Sequence, residues 1–200
     1  MKTLAGAHAG RKLRVLELGP LEAAHTYQLE KMGIDEIIAV EANVEAFLKC
    51  LIVKNLLGLK NAKFLLGDFI EFLKADDSRY DFIFCSGVIY HMEDPLSLIK
   101  LMAARTDCIF VWTHYFTSES RPGLSQITIK HGDETYIYHR LENKNRDSGT
   151  FWGGNKPTAS FMSREDIVRA FRQHGFVNFT LHEENLNHPG GPCFSMSIWR

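Results

Sequence analysis

Residues 13–33 read LRVLELGPLEAAHTYQLEKMG, and this stretch decides the fold. Val15-Leu16-Glu17-Leu18 is an apolar run too short for a helix, and Gly19-Pro20 after it is a turn signal. Leu21, Ala24 and Leu29 then carry a helical pattern toward Gly33. Strand, glycine turn and helix in that order open a nucleotide-binding α/β fold. The details point away from a dinucleotide. A diphosphate needs glycines where the backbone must approach it, yet only Gly19 is one; the later positions are Glu22, Ala23 and Ala24. Glu17, closing the strand, would repel a diphosphate and hold an ammonium group. The expected guest therefore carries an amine and a ribose but no phosphate.

Working outward, a second strand over residues 37–40 ends at Glu41-Ala42, and Asn43 caps a helix that carries Val44, Phe47, Leu48, Leu51 and Ile52 at helical spacing and stops near Gly58. A strand over 63–66 ends at Gly67-Asp68-Phe69, a short helix follows around 70–74, and then an almost wholly apolar strand at 81–85, as expected of a parallel strand covered on both faces. Asp94 caps the next helix with Pro95 at its first position, and a fifth strand spans 107–113. Five strands alternating with four helices imply a parallel sheet with right-handed crossovers. Two last strands, 176–182 and 194–199, follow a capped helix that opens at Ser163. The predicted architecture is α/β: a doubly wound, mostly parallel seven-stranded sheet with a C-terminal antiparallel hairpin. Residues 1–10 read as a flexible N-terminus and 11–200 as a single domain. Residues 114–160 read as an insertion containing a hairpin, 126–130 and 135–140, about Gly132-Asp133.

Composition narrows the function classes. A formal net charge of −1 gives no electrostatic support for a polyanionic nucleic acid, and no apolar run approaches the length of a membrane span. Cys50, Cys85, Cys108 and Cys193 are widely spaced and read as buried thiols of a cytoplasmic protein. The histidines show no helical i, i+4 pair with a neighbouring carboxylate, so no metal site is expected.

The segments 15–19, Glu41, Gly67-Asp68-Phe69 and 81–90, met in this order at successive strand ends, resemble those of a class I S-adenosylmethionine-dependent methyltransferase. The resemblance covers the chain from about residue 11 onward and implies S-adenosylmethionine as cofactor. Ligands of open α/β sheets sit beyond the carboxyl ends of the strands, so the residues just after each strand are the candidates. Glu17, Gly19 and Pro20 would face the methionine part. Glu41 and Ala42 lie about 20 residues past the glycine turn, where an acidic side chain accepts the ribose hydroxyls. Asp68 suits the adenine amino group and Phe69 the ring face, although Asp68 is equally placed to cap the following helix. Ser86 and Gly87 would line the methyl-donor end.

Tyr90 and His91 sit where an acceptor would approach. His91 is the first candidate for a proton acceptor, since histidine titrates near neutral pH, and His114, just past the fifth strand, is the second. Tyr115, Tyr136, Tyr138, Arg140 and Trp152 of the insertion read as an aromatic and basic lid over the acceptor, or as a structural hairpin whose aromatics cover the sheet edge. The activity expected is methyl transfer to a small-molecule acceptor. Residues 87–95, GVIYHMEDP, are also similar to a segment of the tRNA uridine carboxymethyltransferases, which keeps RNA modification as an alternative. A nucleoside-binding module without turnover is the third reading.

Overall fold

The computed structural model describes residues 11–142 and 157–200. The expected flexible N-terminus, residues 1–10, lies outside the described residues, as does Trp152 with the rest of residues 143–156.

One seven-stranded sheet runs β3-β2-β1-β4-β5-β10-β9, made of β1 (Arg14–Leu18), β2 (Glu36–Glu41), β3 (Ala62–Leu66), β4 (Phe82–Ser86), β5 (Cys108–His114), β9 (Asn178–Asn185) and β10 (Cys193–Trp199). This is the class I methyltransferase architecture. The chain divides after Phe84 into two compact units.

In the first unit β1 pairs in parallel with β2, and β2 with β3. Val15, Leu16, Ile37, Ile38 and Val40 are buried, each contributing about 1.5–3 kcal/mol. The crossovers are α1 (Ala24–Lys31), α2 (Val44–Leu57) and α3 (Phe69–Ala75). Asn43 caps α2 by accepting the Ala46 N–H, and Gly58 ends it in the left-handed region, which glycine adopts without steric cost. The apolar pattern of α2 is only partly used. Its buried stripe is Ala46 and Cys50, small side chains that let the helix sit close, while Leu48 and Ile52 stay exposed.

In the second unit α4 (Pro95–Arg105) starts at Asp94, which accepts the Ser97 N–H, and buries Leu98, Ile99 and Met102. β10 runs antiparallel to β5 and to β9. The insertion forms a separate three-stranded sheet, β6 (Ser125–His131), β7 (Glu134–Glu142) and β8 (Thr158–Phe161). The hairpin β6–β7 stands where the sequence pattern places it; β8 is an additional strand, too short to carry a periodicity. The Ser160 N–H donates to Met92 O at 2.7 Å, tying β8 to the segment after β4. Ser163 caps α5 (Arg164–Gln173) through the Asp166 N–H. Among the described residues, no helix is long and apolar enough to cross a membrane.

Candidate functional site

The first unit presents a loop held under strain between two carboxylates. Gly19, Leu21 and Ala23 all adopt positive φ, 64°, 58° and 63°. The left-handed region costs a residue bearing a Cβ roughly 1–2 kcal/mol, so two non-glycine residues there must be held by their surroundings. Gly19 N–H donates to Val40 O at 3.0 Å, and Ala23 N–H to Pro20 O at 2.8 Å. Leu21 N–H donates to Glu41 Oε2 at 3.1 Å, while Leu21 O accepts the Cys50 thiol. The missing glycines thus leave the loop in a glycine-like shape, secured from β2 and α2.

Glu41 is 8% exposed and uses its second oxygen to accept the Asn43 N–H at 2.8 Å. Glu17 is 1% exposed and accepts the Thr26 hydroxyl at 2.5 Å. Burial pushes the Glu17 carboxyl up to about 7; the Thr26 hydrogen bond opposes that rise and the nearby Glu41 charge adds to it. Asp68 caps α3, accepting the Ile70 N–H at 2.7 Å, and Phe69, the first residue of α3, is half-buried. Pro20 and Ala42 flank the loop and the end of β2, Pro20 buried and Ala42 half-buried.

The second unit gathers aromatic and imidazole side chains at the carboxyl ends of β4 and β5. Ser86 closes β4, and Gly87, at φ 76°, donates its N–H to Trp112 O at 2.9 Å. The turn over Ile89–His91 then presents Tyr90 and His91, whose rings lie 4.0 Å apart. Tyr90 also lies 4.8 Å from the His114 ring, edge-on, and 5.9 Å from Phe161, stacked. The three residues expected to carry the chemistry are therefore neighbours.

His114 Nδ1 lies 2.9 Å from Gly191 O and 3.3 Å from Pro192 O. Two carbonyls can only accept, so Nδ1 carries the proton and Nε2 the lone pair. Burial, and then the charges of His114 and Arg121, lower His91 to about 4. Burial lowers His114 too, against the pull of its two carbonyl partners. Both imidazoles are uncharged at neutral pH.

The insertion's tyrosines are placed differently from the lid expectation. Tyr136 and Tyr138 are 0% and 1% exposed. The Tyr136 hydroxyl donates to Gln173 Oε1 at 3.0 Å; that of Tyr138 donates to Asp94 Oδ1 at 2.7 Å and accepts the Leu96 N–H. Tyr115 is buried as well, its hydroxyl on Glu184. Long amphipathic rings reach inward because burying them is worth more than solvating them, provided the hydroxyl finds a partner. These three belong to the core of the second unit, and their hydroxyl protons are already donated within the protein. Arg140 is half-buried on β7, opposite Ser125 of β6 and Ser160 of β8.

Five residues of the cluster escape a reading of the sequence: Trp112, Arg121, Phe161, His188 and Cys193. The antiparallel register sets Cys193 opposite His114, and so brings the loop before β10 to the end of β5. Placing the C-terminal hairpin beside the fifth strand would have found His188 and Cys193. His114, His188 and Cys193 have ligand atoms within 4.8 Å of one another. His188 Nδ1 already accepts the Gly190 N–H, and among the described residues no carboxylate belongs to this group.

A family model described as "Methyltransferase domain" matches residues 9–155. Among known proteins the chain is similar to Otoraplin from Aquarana catesbeiana, 23% identical over 110 residues, 52% of this chain and 83% of that protein. It is also similar to the tRNA U34 carboxymethyltransferase of Campylobacter hominis, 28% identical over 87 residues, 44% of this chain and only 30% of that enzyme. Among solved structures it resembles the N-terminal domain of EvdMO1 with SAH bound, at TM-score 0.76 and 23% identity over 100% of this chain and 78% of that one. The same domain was crystallised in the presence of SAH and D-fucose, and matches at TM-score 0.75. Of full-length EvdMO1 the chain spans 39%.

Proposed function

This chain belongs to the methyltransferase domain family, and on that premise we propose that it methylates a hydroxyl group of a small-molecule acceptor with S-adenosylmethionine as donor. The observation that carries the donor assignment is the pair of buried carboxylates, Glu17 and Glu41, about the positive-φ loop. They suit an ammonium and a ribose and oppose a diphosphate. Glu41 would hold the ribose, Glu17 the amino group, and Ser86 and Gly87 the methyl end, with Phe69 against the adenine. Asp68 keeps one carboxylate oxygen for the adenine amino group while the other caps α3.

When bound, the donor supplies a methyl group already activated by the positive charge on sulfur. The protein's share is alignment, exclusion of water and removal of one proton. The bound donor would give its methyl carbon to the acceptor oxygen, its sulfur keeping the electron pair of the broken carbon–sulfur bond, while Glu17 and Glu41 would hold it in place. The acceptor proton passes to His91, which is uncharged at neutral pH and has Tyr90 against its ring. A small hydroxylated acceptor is further supported by the EvdMO1 domain studied with SAH and D-fucose.

The test is calorimetry with S-adenosylmethionine, S-adenosylhomocysteine and NAD, followed by labelled-methyl transfer to a panel of free and glycosidic sugars. Binding of NAD at comparable affinity would sink the donor assignment. The similarity to a tRNA U34 carboxymethyltransferase favours a second reading, transfer to RNA, so unmodified tRNA belongs in the panel. Transfer to tRNA alone would replace the small-molecule reading.

A further inference from the structure

Arg121 follows a turn closed by Thr117 and Ser120, and its own N–H donates to Thr117 O at 3.2 Å. Its guanidinium carbon lies over Phe161, 3.9 Å from the ring centroid, the same ring on which Tyr90 stacks. Nη2 donates to Gly190 O at 2.6 Å. Gly190 is tied to the imidazoles as well: its N–H donates to His188 Nδ1, and a Cβ on it would fall 2.8 Å from His114 Nε2. Arg121 is therefore built into the aromatic and imidazole cluster from both sides.

Its charge is not answered. A guanidinium has five N–H donors. One reaches a neutral carbonyl, and Nε is buried with no partner. Among the described residues no carboxylate pairs with it. The acids on surrounding elements are committed elsewhere: Glu93 to Thr158, Asp94 to Ser97 and Tyr138, and Glu184 to Arg164 and Tyr115. Glu119, two residues earlier, stands in solvent. A partly buried cation without a counter-charge is costly, and an anion that accepts from the planar guanidinium fork offsets that cost.

We infer that Arg121 is an anion-binding residue of the acceptor site, receiving a carboxylate or phosphate group of the acceptor beside Tyr90, His91 and His114. The inference deepens the methyl-transfer reading by giving the acceptor a charge class. It also supplies a reason for the low basicity of His91, to which the unanswered Arg121 charge contributes. An anion seated on Arg121 would raise His91 toward the working pH when the acceptor is in place, and not before.

The experiment uses the full chain without donor. Inorganic phosphate and, separately, acetate are titrated against matched chloride while the imidazole protons of His91, His114 and His188 are followed by NMR. Saturable binding is expected, with the preferred anion telling phosphate from carboxylate. Arg121→Gln should weaken it about tenfold or more, while Arg121→Lys, which keeps the charge but loses the fork, should bind with an affinity between the two. Equal affinity in wild type and Arg121→Gln, or no saturable effect of either anion, overturns the inference. Should Arg121→Gln fail to fold, the wild-type protein still decides. The saturating anion must raise the apparent pKa of His91 and His114, and unchanged values overturn the inference as well. Donor calorimetry on the same protein keeps a failure here distinct from a failure of the transfer reading, because the anion titration needs neither donor nor turnover.

Discussion

Thr26 Oγ1 donates to Glu17 Oε2 at 2.5 Å in a place water does not reach, Thr26 being 0% and Glu17 1% exposed. A single hydroxyl does not make up for the lost hydration of a carboxylate, so the group takes up a proton on folding. Its pKa stands at 4.5 in the unfolded chain and about 7 in the folded one. Raised on folding, this group favours the folded state fully below pH 4.5, and that advantage is lost as pH climbs through about 7. The total amounts to about 3 kcal/mol. In Glu17→Gln the proton is absent at every pH. The unfolding free energy of Glu17→Gln minus that of the wild type should therefore rise by about 3 kcal/mol across the window and then level. Denaturant titrations across the window check this; a constant difference would mean that Glu17 is solvated.

Glu41 bridges the Leu21 and Asn43 N–H groups with its two oxygens. It thereby fixes the strained loop and aims a carboxylate past the end of β2. Glu41→Gln keeps one acceptor oxygen and loses the charge. S-adenosylhomocysteine affinity should fall by about 1.5–3 kcal/mol, together with some loss of melting temperature. Calorimetry on the folded variant decides. Lower stability with unchanged affinity would leave Glu41 as a brace of the loop alone.

His91 at about 4 sets the pH dependence of acceptor capture. The base must be uncharged, so kcat/KM for the acceptor at saturating donor should be flat from neutral pH down to about pH 5 and fall toward pH 4. Saturating donor keeps the titration of Glu17 out of the profile. His91→Ala should lower kcat by about 10²-fold or more with S-adenosylhomocysteine affinity retained. An acid limb near the 6.5 of an ordinary histidine, surviving in His91→Ala, would move the proton to another group.

Tyr138 links β7 to the start of α4 through Asp94 and Leu96. Tyr138→Phe should cost about 1–3 kcal/mol of stability, because the buried Leu96 N–H loses the hydroxyl it donates to. Its KM for the acceptor should not change. Thermal denaturation beside steady-state kinetics tests this. A raised KM at unaltered stability would return Tyr138 to the acceptor lid.

Much of the fold is carried by local patterns. The helix starts at Asn43, Asp94 and Ser163 are legible because a short polar side chain before an apolar repeat satisfies a free N–H within three residues. The alternation of strands and helices through β5 implies the parallel sheet, since a crossover helix leaves few other ways to cover both faces. The carboxylates at the ends of β1 and β2 and the histidines after β4 and β5 follow, because the strand ends are themselves local features.

Position in the fold is another matter. Tyr136 and Tyr138 look like lid residues in sequence, and only packing shows their hydroxyls closing on Gln173 and Asp94. Leu21 and Ala23 give no hint of a left-handed backbone, which is imposed from β2 and α2. Arg121, His188 and Cys193 come to His114 only because β10 lies antiparallel beside β5, a pairing decided by burial over the whole sheet. The sequence by itself determined which residue types stand at which strand ends. The tertiary structure alone decided which of them share one low-dielectric site, where the energy of a charge depends on neighbours far away in the chain.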